Sequence, residues 1–398
     1  MKIKRNQCDD LSMRIFLCLL TLIGLQLASQ GQDHMVERIV LPEQGVQPQV
    51  AADASGRIHL VYHRGEPGEG NLYYSSLDSL QGQWATPIQV NQLPESVVAT
   101  GTVRGHQIAV TPEGRVHVSW FANRDWHKPK GEPAHAYAPL MVATLKPGQA
   151  RFSREQNLLS WTRHLDGGGS LAVDSRGNIF VAWHGRGDSP VEGEMGRQVF
   201  MSVSVDGGET FSRERAIAEA PQGVCSCCGM RVHTDQQDGV HILYRGLRNQ
   251  LRPMVHLQSI DHGKHFTARF FDDWDIQACP MSLVSMADHA TGSAWIANEC
   301  EGTIRLHHKT NHLSWTELIS SQQQWKGKHP SLAANKDGEV LVTWAQDAGW
   351  GKGGQLRWAV VDASGKVVAT NEAKDAPELP VWSFASAMVI QGKFKLIY

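Results

Sequence analysis

The chain has 398 residues, a formal net charge of −2 and 41% hydrophobic residues. That length would ordinarily suggest two or more domains, but toroidal all-β folds run long as single units. Near-balanced charge excludes an electrostatic case for nucleic-acid binding, and there is no Lys/Arg run and no low-complexity tract.

In chain order, an export signal comes first. Lys2, Lys4, Arg5 and Arg14 precede the apolar stretch Ile15 to Leu27, and small residues follow at Ala28, Ser29 and Gly31. This is a basic n-region, a short h-region and a cleavage site. Residues 1–31 are therefore read as a signal peptide and 32–398 as one mature domain, secreted or periplasmic. The stretch is short for a membrane span, so no stable span is expected after cleavage, although an uncleaved anchor is the alternative. Met13 is a second possible start, and no cysteine directly follows the apolar stretch to carry a lipid.

The rest is organised by a repeat. An apolar strand, a tight turn ending in Gly and a second apolar strand with an aromatic near its end recur seven times, as in VAADASGRIHLVYH and LAVDSRGNIFVAW. The turn glycines are Gly56, Gly114, Gly177, Gly239, Gly292, Gly338 and Gly392, with gaps of 46 to 63 residues. An aromatic falls six residues later at Tyr62, Trp120, Trp183, Trp344 and Tyr398, but five later at Tyr244. The fifth copy has Asn298 at that position and Trp295 nearby. Hairpins at this period, without helices, predict a β-propeller, because one hairpin cannot hide its apolar face and a ring of them can. Seven blades are expected, six being the alternative. The last unit supplies only two strands, so Val36 to Leu41 is expected to complete its blade and leave no open edge. Many of the 13 Trp are accounted for as blade packing.

Between the hairpins, Ser204, Asp206, Gly208, Thr210 and Phe211 fit the Asp-box S-x-D-x-G-x-T-F/W, and Ser259 to Phe266 is a second copy with His265 in the Thr place. On these residues the chain resembles the Asp-box, or BNR-repeat, sialidase-like superfamily over essentially all of its mature length. The resemblance implies a sialidase-like propeller in which the box is a structural turn, with Asp206 and Thr210 bonding their own loop. It also implies, for true sialidases, an arginine triad, a Tyr–Glu nucleophile pair and an Asp acid/base. The R-I-P motif of those enzymes is absent, which argues against sialidase activity itself.

The hairpin turns should all lie on one face of the ring, which gathers the starts of first strands and the ends of second strands on the other. Those positions hold His63, Arg64, Asn123, Arg124, Asp125, His127, His184, Arg186, Asp188, Arg245, Glu299 and Asp347. They also hold Arg104, His106, His164, Asp166, the Cys225–Cys228 run, Cys279 and His329. Convergent titratable groups on a concave face make the default site. His106, His184 and His63 are the candidates for proton transfer. Arg245, Arg64, Arg104 and Arg186, with Asp188, are the candidates for holding an acidic ligand. His106 and His184 are expected to share an axial pocket with Arg245.

Cys8 and Cys18 leave with the signal, and Cys225, Cys227, Cys228, Cys279 and Cys300 remain. C-x-C-C followed by a C-P-M-S strand start resembles uncharacterised exported propellers. An oxidising compartment favours a disulfide, and a bridge from the Cys225–Cys228 run to Cys279 is expected. The alternative is a soft copper or zinc site completed by Met281 or a histidine. Two functions follow. One is a monomeric, secreted carbohydrate-active enzyme, hydrolase or lyase, acting on an acidic glycan or other small ligand. The other is a non-catalytic glycan-binding or metal/thiol propeller of the cell envelope.

Overall fold

The structure is a computed structural model and describes residues 36–77, 83–123, 137–217, 223–289, 292–310, 315–319 and 325–398. The proposed signal peptide and the candidates Arg124, Asp125 and His127 lie outside these residues. Seven sheets form the seven blades of a propeller, all β apart from short 3-10 turns. Each of the first six has an inner antiparallel hairpin followed by two outer strands. Blade one, for example, runs Val46–Ala52, Ile58–Glu66, Glu69–Leu77 and Ile88–Gln89. In blade four the inner hairpin is Arg231–Thr234 with Val240–Leu247, and the short strand Gly223–Val224 pairs with the far end of the latter.

Burial explains the repeat as the sequence suggested. Tyr62, Trp120, Trp183 and Trp344 are each at most 3% exposed. The buried residues divide into clusters that each span one junction between neighbouring blades. A blade therefore has little core of its own and depends on its neighbours. In the fifth blade Trp295 fills the core and stacks on His308 at 3.8 Å between centroids. Asn298 is polar there because its amide donates to Asp272 at 2.8 Å, and Asp272 also pairs with His307 at 2.8 Å.

The turn glycines take positive φ, as at Gly56 (81°) and Gly177 (80°), where a Cβ would be strained. The fourth copy differs from the expected alignment. Asp238, not Gly239, is the left-handed residue (φ 62°). Counted from Asp238, Tyr244 is again six residues on, which removes the one-residue irregularity. Asp53, Thr111, Asp174 and Asp235 of four successive hairpins line one opening of about 300 Å³, placing these turns on a common face.

The last sheet closes the ring as expected. Val36–Ile39 pairs with Lys393–Ile397, which pairs with Ser386–Ile390. The added strand runs parallel to its neighbour, and Leu41 N–H donates to Tyr398 O at 3.0 Å. A variant lacking the chain through Ile39 should lose about 2 kcal/mol, from a few ladder bonds at ~0.5–1.5 kcal/mol each. Urea melts would read this, together with faster amide exchange in Phe394–Ile397. An unchanged midpoint would show that closure contributes nothing.

Candidate functional site

The face opposite the hairpin turns carries most of the chemistry, but its axis is not an open pocket. Gln47 and His329 occupy left-handed backbone (both φ 57°) at irregularities in the first strands of blades one and six. Both side chains are buried. The Gln47 amide donates to Ala99 O at 2.6 Å and Trp382 O at 2.9 Å, and Ser383 Oγ accepts from Gln47 N–H at 3.1 Å. His329 Nε2 meets Thr102 Oγ1 at 3.1 Å. These contacts tie together loops of blades one, two, six and seven. The open axial space, about 380 Å³, lies deeper between the inner strands, with Gln49, Arg231, His233, Ser285, Ser331 and Ser386 on its wall.

The three candidate histidines are buried to within 1%. His63 packs over Gly70, where a Cβ would come within 2.0 Å of Nε2, and burial drops its pKa to about 4. His106 Nε2 meets Val61 O at 3.2 Å, and burial with the nearby His63 drops its pKa to about 3. His184 Nδ1 lies 3.4 Å from Arg197 Nη1, and burial with Arg197 drops its pKa to about 4. His106 thus belongs with His63 and Val61, whereas His184 belongs with Arg197 and the cysteine loop. Burial gives all three packing contacts and a neutral ring rather than access to a ligand.

Of the candidate arginines, Arg64 lies over the Tyr73 ring at 5.1 Å, and Arg186 pairs with Glu192 at 2.7 Å. Asp188 is exposed. Arg245 is 2% exposed, donates to Arg252 O at 3.0 Å and to Glu299 O, and lies over Trp274 at 5.1 Å. It joins blades four and five as a buried strut. Arg104 donates to Asp166 Oδ1 from Nε at 3.1 Å and Nη2 at 2.5 Å.

That ion pair opens onto a cavity of about 500 Å³ between blades two and three, shared with Phe121, Asn123, His164 and Arg197. Arg197 was not among the candidates. It precedes a third strand, Gln198–Ser204, whereas only inner-strand ends were considered. Its guanidinium donates to His164 O and makes no ion pair among the described residues. Burial lowers its pKa. The cavity wall thus carries two guanidinium groups, Arg104 and Arg197, and one carboxylate, Asp166, which also acts electrostatically on Arg197.

The five cysteines among the described residues are free thiols, so the expected bridge to Cys279 is not formed. Cys225 Sγ lies 3.5 Å from Cys227 Sγ and 3.6 Å from Cys228 Sγ, and all three are buried. Cys279 is exposed and does not join this group. Two residues on, Met281 takes left-handed backbone (φ 48°) and packs against the cluster of the three cysteines. Cys300 is buried elsewhere, beside Asp272 O, and burial pushes its thiol up to about 11.

The Ser204–Phe211 turn is structural. Asp206 accepts from Ser204 Oγ at 2.8 Å, Thr210 N at 3.0 Å and Thr210 Oγ1 at 2.6 Å, while Gly208 N–H donates to Ser204 Oγ at 2.9 Å. Hydrogen bonds from Thr210 and Ser204 hold the Asp206 carboxyl down to about 2. Phe211 packs against the core between blades two and three. In the second copy His265 Nδ1 meets Asp261 Oδ2 at 2.6 Å, so imidazole stands in for the Thr hydroxyl.

No family model matches the chain, and no curated protein matches it. Solved structures do. The α-L-arabinanase of Penicillium chrysogenum, complexed with arabinobiose, is 11% identical, with 82% of this chain and 96% of that one covered and a TM-score of 0.54. An ulvan lyase bound to a GlcA(1-4)Rha3S glycan is 12% identical, with 89% and 88% covered and a TM-score of 0.50. These likenesses establish a shared propeller fold. A Hadza microbial sialidase is 13% identical at a TM-score of 0.49, and 75% of this chain spans only 63% of that protein's length. No helix among the described residues is long and apolar enough to cross a membrane.

Proposed function

We propose that this chain is an exported carbohydrate-active propeller that takes an acidic glycan at the cavity between blades two and three. The carrying observation is Arg197, a guanidinium on the wall of a cavity large enough for a sugar ring or two, with no ion pair of its own among the described residues. Arg197 is assigned to the ligand's carboxylate, which a guanidinium can grip with two parallel hydrogen bonds. Phe121 offers an apolar wall to a sugar face, and the Arg104–Asp166 pair offers a polar rim. Proton transfer falls to His164, which faces the same cavity, rather than to the buried His63, His106 and His184. The arabinobiose and GlcA(1-4)Rha3S ligands of two fold neighbours support a glycan as the ligand class.

The burial of all three original histidine candidates favours a second reading, a glycan-binding module without turnover. One screen separates the two. The wild-type chain is offered uronate-containing, sulfated and sialylated oligosaccharides, with binding and product formation both followed. Arg197→Gln should weaken binding of a uronate oligosaccharide about tenfold, or ~1.4 kcal/mol, with Arg197→Lys between it and wild type. His164→Gln should stop product formation while leaving affinity within a few-fold. Binding without product in the wild type establishes the module. No binding to any of the three classes overturns both readings.

A further inference from the structure

Three thiols at one buried point are more than the glycan reading uses. We propose that Cys225, Cys227 and Cys228, with the Met281 thioether, form a site that holds one copper(I) ion. The three sulfurs lie within 4.8 Å of one another, and their residues are 1–7% exposed. A metal bound at about 2.3 Å to each of three thiolates sets the sulfurs roughly 4 Å apart. The observed 3.5 and 3.6 Å contacts need only a few tenths of an ångström of expansion.

The loop that carries them is built and braced. Cys225 N–H donates to Arg245 O at 3.0 Å at one end, and Gly229 N–H donates to Ser282 O at 3.0 Å at the other. Between the cysteines, Ser226 is drawn away from the sulfurs by Glu194, which accepts from its N–H at 2.7 Å and its hydroxyl at 3.0 Å. Glu194 is itself fixed by Arg252 at 2.9 Å. The Cys228 carbonyl lies over Gly167, where a Cβ would come within 2.4 Å of it, so the neighbouring blade holds the loop down.

The donor set decides the metal. Thiolate and thioether are both soft and together suit copper(I). Zinc takes thiolate, imidazole or carboxylate; among the described residues no histidine or carboxylate joins the three sulfurs, whereas Met281 packs against the cysteine cluster. Met281 reaches it at the cost of left-handed backbone (φ 48°), the kind of strain that persists where surroundings impose it. His184 bonds to the loop at the Cys228 backbone.

The test is an anaerobic titration of the reduced full-length chain with copper(I) against a chromophoric copper(I) chelator, with bound metal counted by elemental analysis. One copper(I) per chain is expected, with X-ray absorption showing sulfur at about 2.3 Å. Cys227→Ser should cost at least ~100-fold in affinity, while Cys279→Ser and Cys300→Ser should leave it unchanged. Met281→Leu keeps size and apolarity. It should weaken copper(I) about tenfold and leave cadmium(II) binding unaltered, which answers the case where a serine variant misfolds. Failure of the reduced chain to retain copper(I) overturns the proposal, as does loss of the metal on replacing Cys279 instead of Cys227. Zinc(II) displacing copper(I) from the site overturns the choice of metal. A chain that binds no glycan leaves all of these readouts intact.

Discussion

Replacing Glu214 by alanine should destabilise the ring by about 3 kcal/mol, from buried donors left unpaired at ~1–3 kcal/mol each with partial rescue by water. The residue is 4% exposed and lies just before the short outer strand Arg215–Ala216 of blade three. Its carboxylate is the common acceptor of a whole turn. Oε1 accepts from Ser160 N at 2.7 Å, Trp161 N at 2.9 Å and Thr162 N at 3.3 Å, and Oε2 accepts from Ser160 Oγ at 2.6 Å. Glutamine should recover only part of the loss, because its NH2 end would face a donor. The pH dependence has a definite sign. Burial alone would raise this carboxyl, but the bonds from Ser160 and Trp161 outweigh it and the pKa falls below 4.5. The folded state therefore holds the proton less tightly than the unfolded chain. The stabilisation is complete above the unfolded value and is lost as pH falls through the folded one. Urea midpoints at neutral and acid pH should show the gap between wild type and Glu214→Ala closing in acid. Parallel curves would contradict this. The braced turn leads directly to His164 and Asp166, so the same variant should also loosen the proposed glycan cavity.

Much of this architecture can be read from residue order because a propeller repeats one solution. A turn with positive φ, a strand of apolar residues and an aromatic six positions on specify a hairpin and the neighbour it packs against, as Trp120 and Trp183 do. The closing strand Val36–Ile39 was legible for the same reason: a two-stranded last unit leaves an edge that something must cover. The site was legible only to the level of its face. Side chains there are placed by loops from different blades, and local sequence does not record which loops meet. Gln47 was invisible as an axial plug because its reach to Ala99 and Trp382 depends on a strand irregularity. Histidines at strand ends looked accessible, yet loops cover them; His184 and His106 are 0% exposed. An expected export suggested a bridge, but Met281, in left-handed backbone, packs against the cysteine cluster while Cys279 stays exposed outside it. Arg197 had no signal beyond being a cation at the head of a strand.

Glu299→Gln should stabilise the protein above neutrality, by about 2–3 kcal/mol at pH 8, and change little near pH 4.5. Glu299 is 2% exposed near the end of strand Ala294–Cys300, and its Oε2 has no hydrogen-bond partner. The nearest cation is Lys328, with Nζ 3.8 Å from that oxygen. Burial is the main influence on this carboxyl; Lys328, Ser282 and Arg245 act against it, the Cys228 thiol acts with it, and the result is a pKa pushed up to about 7. The sign is opposite to that of Glu214. Between about pH 4.5 and 7 the folded chain binds this proton more tightly than the unfolded chain, so stability falls as pH rises through that window. A shift of that size corresponds to roughly 3 kcal/mol at 1.36 kcal/mol per unit. The glutamine side chain has nearly the same shape and cannot ionise, so it should flatten that part of the profile. The backbone carbonyl of residue 299, which accepts from Arg245, is untouched by the substitution. Thermal or urea melts of both proteins from pH 4.5 to 8.5 decide the matter. Profiles that converge in acid and separate above neutrality, with the variant higher, bear the argument out. If the wild type gains stability over that range relative to Glu299→Gln, Lys328 dominates burial, and the carboxylate is a formed ion pair rather than a buried acid near its midpoint.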